Sequence, residues 1–205
     1  MSARGVVESG TACGAATAME GRREFFRTTL GRVLDEVRAR AERRVAPTRY
    51  IRPPGALPEL AFLAACTRCA DCIEACPPDA LVPAPVEAGL AARTPVLDPR
   101  RQPCIVCADM PCAAACPTGA LSRPAGGWDG VTLGWVELIP ERCIAFQDVS
   151  CGVCVRACPI GEKALKLDAK GRPVILPEGC VGCGACERAC VTAPSSIVLH
   201  PLEGP

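Results

Sequence analysis

The chain has 205 residues, enough for one or two domains, and its 23 Lys and Arg against 22 Asp and Glu leave a formal charge of +1. No basic excess therefore marks a nucleic-acid partner. Aromatic residues make up only 3%, against 21 prolines, 19 glycines and 17 cysteines, which excludes a core built mainly from large side chains.

Residues 1–20 are mostly small, lack periodicity and read as a disordered N-terminus. Met19 is an alternative start; Cys13, the odd cysteine, then falls away, and otherwise reads as a stray thiol. Over residues 21–45, Phe26, Leu30, Val33, Val37 and Ala41 recur at helical spacing and predict an amphipathic helix. Arg22-Arg23-Glu24-Phe25-Phe26-Arg27 is twin-arginine-like, but the following TTLGRVLDEVRARA carries Arg32, Asp35, Glu36, Arg38 and Arg40. An export signal needs an apolar run at that place, and a bilayer span needs about 20 apolar residues. The helix is read as docking on the domain, a partner or a membrane surface, with a degenerate export signal as the alternative. Residues 46–58, APTRYIRPPGALP, read as an extended proline-rich linker.

A four-run domain follows over 59–200, and 201–205 is a tail. The first run is Cys66, Cys69, Cys72 and Cys76; the second is Cys104, Cys107, Cys112 and Cys116. The third is Cys143, Cys151, Cys154 and Cys158; the fourth is Cys180, Cys183, Cys186 and Cys190. Cysteines in tight fours suit a shared inorganic centre better than disulfides, which join distant segments. Structural zinc sites commonly use two C-x2-C knuckles separated by a longer loop. The first run instead has the C-x2-C-x2-C-x3-C-P spacing that holds a 4Fe–4S cluster in bacterial ferredoxins. The second run lengthens the gap before its third cysteine, and the third run lengthens the gap after its first. The sixteen cysteines are thus the expected iron ligands of four 4Fe–4S clusters, with no catalytic residue predicted.

Each later run is preceded by a short β-like stretch and a proline: Val96-Leu97-Asp98-Pro99, Trp135 to Pro140, and Val174 to Pro177. The first three runs lead into Ala80-Leu81, Ala120-Leu121 and Ala164-Leu165, and the fourth into Ile197-Val198-Leu199. The repeat predicts strand, cysteine loop, a helical turn around the last cysteine, and strand. The expected fold class is α+β, with tandem ferredoxin-like dicluster units of small strands and short helices behind an N-terminal amphipathic helix. The connection 77–103 is expected to wrap the surface with one short helix near Val86–Ala92. The segment after Gly126 suggests a turn and a strand, and His200 reads as a tail residue rather than a ligand.

The fourth cysteine of a dicluster run serves the other cluster of its pair. Like spacing favours a nested arrangement, run one with four and two with three; sequential pairing, one with two and three with four, is the alternative. A cluster with four thiolates brings about −2, so four of them take the formal +1 to about −7. A core so poor in large side chains predicts that folding depends on the metal.

From Arg52 onward, RPPGALPELAFLAACTRCADCIEACP, PCIVCADMPCAAACPTGAL, ERCIAFQDVSCGVCVRACP and EGCVGCGACERACV resemble the NapG/MauM ferredoxin-type family. The resemblance covers residues 52–200, with both irregular spacings in the same order. It implies a polyferredoxin with four 4Fe–4S clusters, taking electrons from the quinol pool through a membrane iron–sulfur partner toward a molybdenum oxidoreductase such as nitrate reductase. Members of the NapG kind are exported behind an apolar signal stretch; this chain has a charged helix there. The expected place is the cytoplasm, at the inner membrane face, with the periplasm as the alternative. Electron transfer without catalysis is the expected function. The alternatives are a maturation factor for a molybdenum oxidoreductase and a structural role in which clusters only staple the fold.

Overall fold

The computed structural model describes residues 50–202. The expected disordered segment 1–20, the helix and twin-arginine-like motif within 21–45, residues 46–49 of the linker and residues 203–205 of the tail lie outside the described residues.

The described chain forms two tandem halves built on one plan. The first opens with helix α1 (Glu59–Ala65), then α2 (Asp71–Glu74), β1 (Leu81–Pro83), a 3-10 segment Val86–Ala91, β2 (Pro95–Leu97) and α3 (Pro111–Ala114). β1 runs antiparallel to β2 with Leu81 opposite Leu97, and a bridge from Ala56 to Leu121 joins the outer ends. The second half holds β3 (Gly134–Leu138), α4 (Val153–Ala157), β4 (Leu165–Leu167), β5 (Pro173–Ile175), α5 (Ala185–Ala189) and β6 (Ile197–Pro201). β4 pairs antiparallel with β5, and β3 with β6. In each half, then, the inner pair lies between two cysteine runs and the outer pair flanks them. The strands predicted before runs two, three and four form, as do those at Leu81, Leu165 and Ile197, but after run two Leu121 makes only an isolated bridge to Ala56.

Four expectations are modified. The helical turn spans the third cysteine of each run rather than the fourth: Cys72, Cys112, Cys154 and Cys186 lie in α2, α3, α4 and α5, while Cys158 and Cys190 are C-caps. The described part of the expected linker belongs to the core, with Ile51, Pro53 and Pro54 buried. Arg52 fixes it there: its guanidinium donates to both Glu59 carboxylate oxygens at 2.9 and 2.6 Å, and to Thr94 Oγ1 at 2.8 Å and Pro95 O at 3.0 Å. The same guanidinium lies 4.6 Å from the Phe62 ring centroid, a geometry suited to cation–π attraction. The connection 77–103 likewise contributes Ala80, Leu81, Ala84, Ala91, Val96 and Leu97 to the core instead of wrapping the surface. His200 belongs to β6, where it stacks on Trp135 at 4.2 Å and pairs with Glu137 at 2.9 Å.

The halves meet through runs two and four. The Cys104 N–H donates to Cys183 O at 3.1 Å, and Leu133 N–H donates to Val181 O at 2.9 Å. Arg100 pairs at 3.0 Å with Glu187, whose side chain is 3% exposed. Glu187 also accepts the Leu199 N–H at 2.9 Å, so this buried carboxylate is satisfied from both sides of the junction. A Cβ at Gly184 would overlap Pro99, so glycine permits this close approach. Among the described residues, no helix is long and apolar enough to cross a membrane.

Candidate metal centres

A recurring backbone device aims the cysteines. The residue two before each third cysteine is left-handed: Ala70 at φ 74°, Met110 at 44°, Gly152 at 69° and Gly184 at 81°. The chain reverses there and enters one helical turn. A second left-handed residue follows the first cysteine of three runs, at Arg68, Val106 and Gly182. At Val106, φ is 60° and the N–H donates to Cys104 Sγ at 3.4 Å. Such a conformation disfavours a β-branched side chain by at least about 1–2 kcal/mol. Val106→Gly is therefore expected to stabilise the loaded protein by about 1 kcal/mol, after the added freedom of the unfolded chain is subtracted. A higher melting temperature with unchanged iron content checks it; a lower one counts against the strain.

The sulfurs gather in exchanged sets. Cys66, Cys69 and Cys72 line one space together with Cys116, and Cys180, Cys183 and Cys186 line another with Cys158. These spaces are about 370 and 360 Å³, open mouths included. Cys107 and Cys112 feel the charge of Cys76, and Cys104 that of Cys112 and Cys107 as well as of Cys183 in run four. Cys154 interacts with Cys143 and Cys151.

Pairing is thus sequential, and the nested arrangement is corrected. Run one exchanges its last cysteine with run two, and run three with run four. The reason is the inner hairpins: β1–β2 turns run two back onto run one, and β4–β5 turns run four back onto run three. The extra residues of run two include Met110, which packs into the core; those of run three form the 3-10 segment Ile144–Gln147. Both insertions are absorbed within their own loops, so like spacing carries no pairing information.

Burial, reinforced by the charges of Cys66, Cys69 and Cys116, pushes the Cys72 thiol up to about 12. Burial similarly pushes Cys104 and Cys186 up to about 12, and Cys112, Cys154 and Cys183 up to about 11. Such thiols become thiolates together only around a positive centre, so loading is coupled to proton release. None of the described cysteines is in a disulfide. Among the described residues, no group of His, Cys, Asp or Glu is drawn together as ligands of a single metal ion. Thiolates on one zinc would stand about 3.8 Å apart, from Zn–S bonds of about 2.3 Å in a tetrahedron. An all-sulfur donor set that draws its fourth cysteine from the neighbouring run fits the corners of a 4Fe–4S cube.

Two cysteines behave differently. Burial raises the Cys116 thiol, but the Leu121 and Thr118 hydrogen bonds outweigh it and lower the net value. At Cys190, burial is likewise outweighed by hydroxyls of Ser196, Thr192 and Ser195, which bring the thiol to about 6. Sequence reading missed these hydroxyl partners. The available signal was a threonine two residues after the last cysteine in runs two and four only, Thr118 and Thr192.

Comparison with known proteins agrees with this geometry. The family model described as a 4Fe-4S dicluster domain matches residues 65–120 and 142–193. The methylamine utilization ferredoxin-type protein MauM of Methylorubrum extorquens is 41% identical over 166 residues, 77% of this chain and 76% of that protein. The ferredoxin-type protein NapG of Escherichia coli K12 is 37% identical over 163 residues, 74% of this chain and 71% of that protein. The electron transport protein HydN of the same organism is 40% identical over a shorter stretch of 76 residues.

Proposed function

The chain belongs to the NapG/MauM ferredoxin-type family of 4Fe–4S dicluster proteins, and we propose that it carries single electrons from a membrane quinol-oxidising iron–sulfur partner to a respiratory oxidoreductase such as nitrate reductase. It is a ferredoxin-type electron-transfer protein with two dicluster domains and four 4Fe–4S clusters. In this reading Cys66, Cys69, Cys72 and Cys116 hold the first centre, and Cys104, Cys107, Cys112 and Cys76 the second. Cys143, Cys151, Cys154 and Cys190 hold the third, and Cys180, Cys183, Cys186 and Cys158 the fourth. Bound there, each cluster supplies a one-electron couple.

The observation that carries the reading is that Cys116 lines the space of Cys66, Cys69 and Cys72, and Cys158 that of Cys180, Cys183 and Cys186. With Cys76 and Cys190 exchanged in return, every centre would have four thiolates and no open iron for substrate. The Cys104–Cys183 hydrogen bond places the second set beside the fourth, so the sets follow the spatial order one, two, four, three. Cys69, exposed at the rim of the first set, makes that end accessible to a partner. In this reading the protein works in the cytoplasm at the inner membrane face, held there through its membrane partner.

Anaerobically purified protein is expected to contain about sixteen irons and to show four one-electron waves in an EPR-monitored redox titration. Zinc without iron would end the reading. Clusters that leave for an apo-oxidoreductase, with no electron exchange, would favour the maturation role.

A further inference from the structure

The four sets of cysteines are not equally dressed. Cys190 Sγ has the Ser196 hydroxyl at 3.1 Å, the Thr192 hydroxyl at 3.3 Å and the Ser196 N–H at 3.4 Å. Its counterpart Cys116 has the Leu121 N–H at 3.4 Å and the Thr118 hydroxyl at 3.6 Å. Cys104 has the Val106 N–H at 3.4 Å. Runs two and four thus share the amide and the threonine, but only run four adds a buried serine. Ser196 is 2% exposed.

We propose that the Ser196 and Thr192 hydroxyls raise the reduction potential of the centre that Cys190 closes with Cys143, Cys151 and Cys154. A thiolate has no proton to give, so a hydroxyl paired with it must donate. The two hydroxyls differ in what else competes for their single proton. Ser196 Oγ has one further neighbour, Thr192 Oγ1 at 3.3 Å, whereas Thr192 also faces Pro194 O at 3.0 Å. Thr192 Oγ1 in turn accepts the Ser196 N–H at 3.0 Å. The network therefore directs the Ser196 proton to sulfur, while Thr192 divides its own. Reduction adds one negative charge to the centre, and donors to its sulfur stabilise that extra charge. Ser196 and Thr192 act through Cys190 and are positioning residues; neither touches a partner or substrate in this role.

The inference rests on the ligation proposed above, and iron analysis separates the two. Wild-type protein with far fewer than sixteen irons would break the ligation reading. With iron complete, EPR redox titration tests the potential directly. Ser196→Ala is expected to make one of the four reductions about tenfold less favourable, which is about 59 mV for a one-electron couple. Thr192→Val is expected to move the same wave in the same direction by less. Thr118→Val is expected to move a different wave. Should Ser196→Ala fail to load iron, Thr192→Val decides alone. The proposal is overturned if the fully loaded variants leave all four waves in place, or if they shift the wave that Thr118→Val shifts.

Discussion

Cys116→Ala is expected to remove the same one of four 4Fe–4S waves that Cys66→Ala removes, and the double variant is expected to lose no more than either alone. The reason is the exchange across α2 and α3, which sets Cys116 among Cys66, Cys69 and Cys72. Cys190→Ala combined with Cys66→Ala is expected to remove two waves, because those residues serve centres in different halves. Loss of a complete cluster lowers iron from about sixteen to about twelve in the Cys66/Cys116 pair and to about eight in the Cys66/Cys190 pair. Nested pairing predicts the reverse pattern: one wave lost in the Cys66/Cys190 double variant and two in the Cys66/Cys116 variant. Non-additivity is the useful readout, since residues that share one site give coupled losses and distant sites give independent ones.

Anaerobic removal of iron by a chelator is expected to abolish the cooperative thermal transition, and reloading iron and sulfide is expected to restore it. Among the described residues, the strands are three to five residues long and the helices four to seven. Isolated elements of that length are not stable in water. Phe62 is the one aromatic among the largest fully buried side chains, and many core positions are alanine or cysteine. Without metal, the raised Cys72, Cys104 and Cys186 thiols remain protonated at neutral pH and make only weak hydrogen-bonding contacts. The two halves are also expected to differ. The larger apolar cluster, with Phe62, Leu81, Leu97, Met110 and Leu121, lies mostly in the first half and takes Leu133 and Leu199 from beyond it, whereas the smaller one, Cys154, Leu165, Cys186 and Ile197, lies wholly in the second. Hydrogen exchange during chelation is expected to open residues 134–201 before residues 51–122. A cooperative transition that survives complete iron removal would show that side-chain packing suffices.

Much of the fold was legible because the repeat is short and its punctuation strong. Val96-Leu97, Trp135 to Leu138 and Val174-Ile175 became strands at the expected places, each close to a proline that ends its pairing. Ala80, Ala120 and Ala164, which precede the post-run leucines, are all buried. Less legible was the stretch before α1. Its prolines suggested a linker, but Arg52 lies against Glu59, Thr94 and Phe62, residues up to 42 positions away. His200 was misplaced for a similar reason: its place in β6 depends on Trp135 and Glu137, more than sixty residues earlier.

The sequence by itself determined the chemistry of the protein: four runs of four cysteines, the α+β dicluster repeat and the family. Thiolate ligation is a local matter of residue type and spacing, so it survives in one dimension. Tertiary structure alone decided which runs exchange their last cysteine, which centres adjoin and which sulfur gathers the most hydrogen bonds. Hairpin closure, the Arg100–Glu187 and Cys104–Cys183 contacts, and the burial of Ser196 against Cys190 arise only when the chain packs. Each depends on which segments come together in space, which cysteine spacing within a run does not encode.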